Sequence, residues 1–210
     1  MRFRAWRVSV FVLAFLPVAY WSYLAVTSQL GIDPGKELVD LLGLTALWLL
    51  LITLAMTPLK RLSGWYGWLA VRRQLGLWCF AYAVAHVLGY FAFLLGFDLS
   101  RLLVELYKRP YIIFGAVAFC GLLLLALTSN QISMRRLGRR WKVLHRAVYG
   151  VLFFVLLHML WVVRADLSEW FVYASVAGGL MALRLQAVGE VFRRLVRSVK
   201  SRIEAIVGVV

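Results

Sequence analysis

RRQLGLWCFAYAVAHVLGY, residues 72–90, decides how this chain is read. Two arginines open the stretch, His86 lies deep inside it, and nearly everything between is apolar or aromatic. The run continues to residue 97. That is long enough to cross a bilayer, which asks for about 20 residues at ~1.5 Å each. Hydrocarbon offers backbone polar groups no water, so the segment must satisfy them internally as a helix. An ionisable side chain inside such a helix is costly and therefore a pointer to function.

The same pattern recurs outward in both directions. Six apolar runs fall at 8–27, 41–58, 74–97, 111–129, 144–163 and 169–186. They predict an all-α membrane protein, a six-transmembrane-helix bundle forming one domain over 1–210. Pro110 stands where a helix would begin, and Pro58 is expected to close the second span. Trp and Tyr gather near several run ends, as in an interfacial belt. The composition agrees. Hydrophobic residues make up 63% and charged residues 16%, against about 45–50% and about 25% in soluble domains. The first run follows Arg2, Arg4 and Arg7 but outlasts the h-region of a signal peptide, so it reads as a retained span. No fixed-period repeat or low-complexity linker divides the chain.

The formal net charge of +15 would suit nucleic acid, but the cations alternate by loop. Of 24 Lys and Arg, 19 lie in one set of segments: 2–7, 60–73, 135–146 and 184–202. The other set holds Lys36, Arg101, Lys108, Arg109 and Arg164, together with most of the acids. Both termini are therefore expected in the cytoplasm. Residues 187–210 mix apolar and basic residues and read as an amphipathic helix on the anionic inner leaflet. Cys79 and Cys120 each sit inside an apolar run and read as small buried hydrophobes.

Three histidines remain, all on two spans: His86 on the third, His145 and His158 on the fifth. His145 and His158 are 13 residues apart, ~20 Å along a helix, and cannot share a metal. An ideal helix also turns them to different faces, which a tightened first turn would correct. His86 and His158 lie at depths that differ by only ~3 Å, toward the outer half of the bilayer. Two imidazoles on facing helices suit the axial positions of a haem iron used for electron transfer. Ala83, Ala85, Gly89 and Gly150 would leave room for a flat macrocycle, or simply pack helices closely. His145 finds no histidine at its own depth. It lies near Arg72, Arg73, Arg139, Arg140 and Arg146, whose guanidiniums suit haem propionates or a flavin phosphate. Arg164, six residues past His158, is the outer candidate for a propionate.

At these residues the sequence resembles the MsrQ (YedZ) family, among the ferric reductase-like transmembrane domains. RRQLGLWCFAYAVAHVLGY (72–90), KRPYIIFG (108–115), LTSNQISMRRLGRRWKVLHRAVYG (127–150) and LLHMLW (156–161) carry the likeness. It implies the haem-binding membrane subunit of a periplasmic methionine-sulfoxide reductase system in the bacterial inner membrane. Haem b, one or two, and FMN are the cofactors implied. The implied donor is quinone or a cytosolic flavin reductase. The implied acceptor is a molybdopterin-dependent reductase of the MsrP type, where sulfoxide reduction takes place. His86, His145 and His158 fall on the family's three histidine positions. Arg72 and Arg73 stand where larger relatives carry a second third-span histidine, which leaves the inner site to a flavin or to a haem held by His145.

Those relatives also carry nucleotide-binding domains. No Gly-rich phosphate loop after a strand is seen here, so the donor is expected to be a separate molecule. A stand-alone ferric or quinone reductase is the nearest alternative, distinguished by turnover without a periplasmic partner. A small transporter or membrane assembly factor is a further one, but no intramembrane carboxylate is present for proton coupling.

Overall fold

The computed structural model describes residues 3–163 and 166–184. Nine α-helices follow one another in them: α1 (Arg4–Val26), α2 (Pro34–Ser63), α3 (Gly67–Gly89), α4 (Leu99–Lys108), α5 (Pro110–Leu127), α6 (Gln131–Leu137), α7 (Arg139–Leu144), α8 (Val148–Val162) and α9 (Ser168–Ala182). A π turn, Tyr90–Leu94, extends α3, and a 3₁₀ turn, His145–Ala147, joins α7 to α8. The described residues contain no strand. Five segments are long and apolar enough to cross a membrane: Arg4–Val26, Pro34–Ser63, Gly67–Leu94, Pro110–Leu127 and Arg139–Val162. The sixth run corresponds to α9, which is 15 residues long as described. The basic tail expected over 187–210 lies outside the described residues.

The bundle is built on two helical hairpins. α2 packs along α3, and α5 packs along α8. α1 lies on α3, while α9 touches both α2 and α8. Leu51, Leu54, Val71 and Cys79 are almost completely enclosed where α2 meets α3. Many other large apolar side chains point outward, as expected for helices solvated by lipid.

Local chemistry sets the boundaries. Asp33 caps α2 by accepting from the Lys36 amide at 3.1 Å, and Pro34 fills the first helical position. α2 therefore starts before residue 41. α5 begins at Pro110, where the sequence placed it. α4 was not read from the sequence. Asp98 caps it by accepting from Ser100 and Arg101, and its Leu99, Leu103 and Tyr107 form an exposed stripe. Ten residues with alternating charge are too polar to register as a span.

Pro58 does not close the second span, contrary to expectation. α2 runs through it to Ser63 and ends on Gly64 in the left-handed conformation. Proline lacks the N–H that would reach the Leu54 carbonyl, and Arg184 supplies the missing donor. Next to Pro17 in α1 the helical ladder is opened and bridged by a side chain. The Tyr82 hydroxyl inserts between Val18 and Ala14, accepting from the Val18 amide at 3.1 Å and donating to the Ala14 carbonyl at 2.7 Å. Removing that hydroxyl leaves both groups unmet in an apolar setting. Tyr82→Phe is expected to destabilise the protein by about 1–3 kcal/mol, read as an earlier thermal unfolding transition in detergent. An unchanged transition would contradict this role. Cys79 is buried as expected, but Cys120 is exposed on the outer face of α5. An apolar run alone does not tell a lipid-facing position from a core one.

Candidate functional site

His86 ends the regular part of α3, and His158 lies in the last turns of α8. Their ring centroids stand 6.3 Å apart with planes at 85°. Each ring is locked by a backbone carbonyl. His86 Nδ1 lies 2.8 Å from the Val39 carbonyl on α2, and His158 Nδ1 lies 2.8 Å from the Tyr111 carbonyl on α5. A carbonyl only accepts, so Nδ1 carries the proton on both rings. Nε2 then holds the lone pair on both, the arrangement of a metal-ligating histidine with its second ring nitrogen tied down.

The centroid spacing is compatible with two rings that share one metal atom. An imidazole nitrogen lies about 1.15 Å from its ring centroid and binds a transition metal at about 2.0 Å, so two axial imidazoles bring their centroids about 6.3 Å apart. The near-perpendicular planes are compatible with this, because axial ligands need share only the metal.

Glycine makes the close approach available. A Cβ on Gly43 would lie 2.8 Å from His86 Nδ1, and one on Gly115 would lie 2.9 Å from His158 Nδ1. The two halves are the same device used twice. Val39, Gly43 and His86 recur as Tyr111, Gly115 and His158, each 72 positions later. No fixed-period repeat was read from the sequence, because the shared part is three positions in two otherwise different hairpins. Gly43 and Gly115 were also missed. The available signal was a glycine inside an apolar span, where it weakens a helix unless space requires it. Of the small residues expected to make room, Gly89 packs instead against Val39 and Leu42, and Gly150 faces open space.

His145 opens the 3₁₀ turn, the tightened turn anticipated for it. Its ring stacks on Trp141 at 3.9 Å, Nδ1 lies 3.2 Å from the Trp141 carbonyl, and Nε2 lies 3.4 Å from Ser129 Oγ. The 72-residue relation continues here: Ser129 corresponds to Thr57 and His145 to Arg73. The site around His145 thus has no matching imidazole on α3. Other polar groups gather at this end instead. Half-buried Arg72 is within electrostatic reach of both His145 and Arg184. Arg184 donates to the Tyr149 hydroxyl as well as to Leu54. Among the described residues, the hydroxyls of Thr53 and Thr57 and Nε of Arg184 are buried without a partner. Unpaired polar atoms in an apolar bundle are expensive, and these three could each take a polar partner.

Of the predicted cations among the described residues, only Arg72 joins these groups. Arg139, Arg140 and Arg146 are exposed at the same end. Arg73 lines a groove between α1 and α3. Arg164 lies outside the described residues. At the opposite end a pocket of about 470 Å³ is lined by Tyr90, Arg101, Glu105 and Arg109 among others. Arg109 donates to the Tyr111 hydroxyl at 3.1 Å and lies 2.6 Å from Glu105. The Tyr111 contact, then the neighbouring Glu105 carboxylate, pushes the Arg109 pKa up. Tyr111 in turn packs on the His158 ring at 5.8 Å.

Apolar helices long enough to cross a membrane, with two carbonyl-locked imidazoles held close between them, define a multi-pass membrane protein with a paired-histidine site. The ferric reductase like transmembrane component family matches residues 42–157. The protein-methionine-sulfoxide reductase heme-binding subunit MsrQ of Brucella ovis is 39% identical over 176 residues, 84% of this chain and 80% of that protein. The chain belongs to the MsrQ family within the ferric reductase-like transmembrane proteins.

Proposed function

We propose that this chain is the haem-holding electron-transfer subunit of a methionine-sulfoxide repair system in the bacterial inner membrane. Electrons come from quinone or a cytosolic flavin reductase and leave to a periplasmic reductase of the MsrP type, where the sulfoxide is reduced. Both termini and the α6–α7 end face the cytoplasm in this reading, since the cations concentrate there. The observation that carries the proposal is the pair His86 and His158 at 6.3 Å, each with Nδ1 committed to a carbonyl. The relative's name supplies the link to methionine sulfoxide.

His86 and His158 would offer Nε2 to the iron of a b-type haem. The carbonyls of Val39 and Tyr111 fix each ring's tautomer and raise its basicity. Gly43 and Gly115 let the rings stand upright against α2 and α5. Arg109, with Arg101 and Tyr90, would meet the carboxylates of the group at the α4 end. When bound, haem supplies a one-electron carrier, and the protein sets its position and surroundings. At the other end His145, Arg72 and Arg184 would hold an acidic redox group, FMN or a second haem. The unpartnered Thr53 and Thr57 hydroxyls support a ligand there. Arg73, Arg139, Arg140 and Arg146 would attract an anionic donor at that surface, and Arg164 remains a proposed propionate contact.

A reduced-minus-oxidised optical spectrum of the purified protein tests the reading. Low-spin b-type bands are expected in the wild type and lost in His86→Ala and in His158→Ala. Wild-type protein without those bands, or bands indifferent to both substitutions, would overturn it.

A further inference from the structure

Apart from Arg73 at its mouth, the groove between α1 and α3 is unused by the proposed electron path. It has a volume of about 470 Å³ and is lined by Arg7, Phe11, Ala70, Arg73, Gln74, Leu77, Trp78 and Ala81. Its polarity is graded along the helices. Arg7 and Arg73, both exposed, share one level with Gln74, whose side-chain amide donates to the Arg7 carbonyl at 2.9 Å. One turn further, Phe11 meets Trp78 edge to face at 5.1 Å. Beyond these levels Phe15 approaches Trp78 and Ala81 continues the apolar wall. Among the described residues, no carboxylate lines the groove.

We infer that this groove binds one anionic phospholipid of the leaflet on the α6–α7 side. Two guanidiniums at one end match a phosphodiester, because their donors fork onto phosphate oxygens. The apolar walls that follow at greater depth match the start of an acyl chain. Basic pockets between membrane helices are recognised sites for acidic headgroups, and each nearby cation adds to the attraction. Free phosphate would use the guanidiniums but leave the aromatic end bare. A zwitterionic lipid would use the wall but bring a choline cation toward two arginines. The graded groove thus favours a ligand that is anionic at one end and apolar at the other. Such a lipid would also brace α1, whose own faces are largely exposed.

Native mass spectrometry of the delipidated full chain, titrated with phosphatidylglycerol or phosphatidylcholine, tests this. The wild type is expected to take one phosphatidylglycerol at least about tenfold more tightly than phosphatidylcholine. Arg7→Gln with Arg73→Gln should erase that preference while phosphatidylcholine binding stays the same. Arg7→Lys with Arg73→Lys, which keeps the charge, should retain most of it. Phe11→Ala should weaken both lipids alike. Arg135→Gln with Arg136→Gln removes two exposed cations elsewhere and should change nothing. The proposal falls if the wild type shows no preference, or if the Arg135 and Arg136 control lowers it as much. It also falls if inorganic phosphate displaces the lipid completely, which would mark a site for free anions only.

Discussion

Gly115→Ala is expected to reduce haem affinity by about 10- to 100-fold, and Gly43→Ala to do the same. A methyl at residue 115 would lie 2.9 Å from His158 Nδ1 and 3.1 Å from Cε1; at residue 43 it would lie 2.8 and 2.9 Å from the same atoms of His86. These atoms belong to a rigid ring whose Nδ1–H is already spent on a carbonyl. The ring must tilt, which breaks that hydrogen bond and moves Nε2 off the axis. Overpacking costs about 1–3 kcal/mol and the lost hydrogen bond about 1 kcal/mol more. The alanine gains slightly in helix propensity, by ~1 kcal/mol, which does not offset the clash. Gly76→Ala is the control, since its nearest neighbour, Thr53 Cγ2, is 3.8 Å away. Pyridine haemochrome stoichiometry after purification measures the outcome. Full haem content in both variants would refute the steric argument.

Arg184→Ala should destabilise the protein by about 2–4 kcal/mol, and Pro58→Ala should largely suppress the defect. Pro58 withholds the amide that would serve Leu54, and the guanidinium of Arg184 serves that carbonyl from the end of α9. Truncating the arginine strands the carbonyl in an apolar bundle and also removes the contact to Tyr149. Replacing the proline restores an ordinary helical amide at the same place. Thermal unfolding of the four members of the cycle reads the coupling. Additive effects would show that Leu54 does not need this donor. A general role of Arg184 in binding an inner ligand would not be cured by changing Pro58, so the cycle separates the two contributions.

Much of this was legible in the sequence because lipid imposes one rule on every backbone. Five of the six apolar runs coincide with helices long and apolar enough to span, and the depths of His86 and His158 pair the two rings that lie 6.3 Å apart. Pro110 marked a helix start because its missing amide costs nothing there. Pro58 misled for the opposite reason. Whether a proline ends a helix depends on a donor 126 residues further along the chain, Arg184, and local sequence does not disclose that partner. α4 escaped because its amphipathic stripe is too short and polar to read as a span. Gly43 and Gly115 escaped because a glycine in a membrane helix has several uses. Only the ring lying against each shows which use applies here. The group of polar residues around His145 was half legible: His145 and Arg72 were named, but Thr53, Thr57 and Arg184 acquire meaning only from burial.

The duplicated hairpin has a mechanical consequence. α2 with α3, and α5 with α8, are each extensively packed, whereas α3 meets α5 along a much thinner seam. One metal atom bound by both imidazoles would be a rivet through that seam, joining two halves that each already hold their own ligand in place. Insertion of the cofactor would then come late in assembly and be sensed by both halves at once. A chain made when haem is scarce would keep its hairpins and lose the clasp between them.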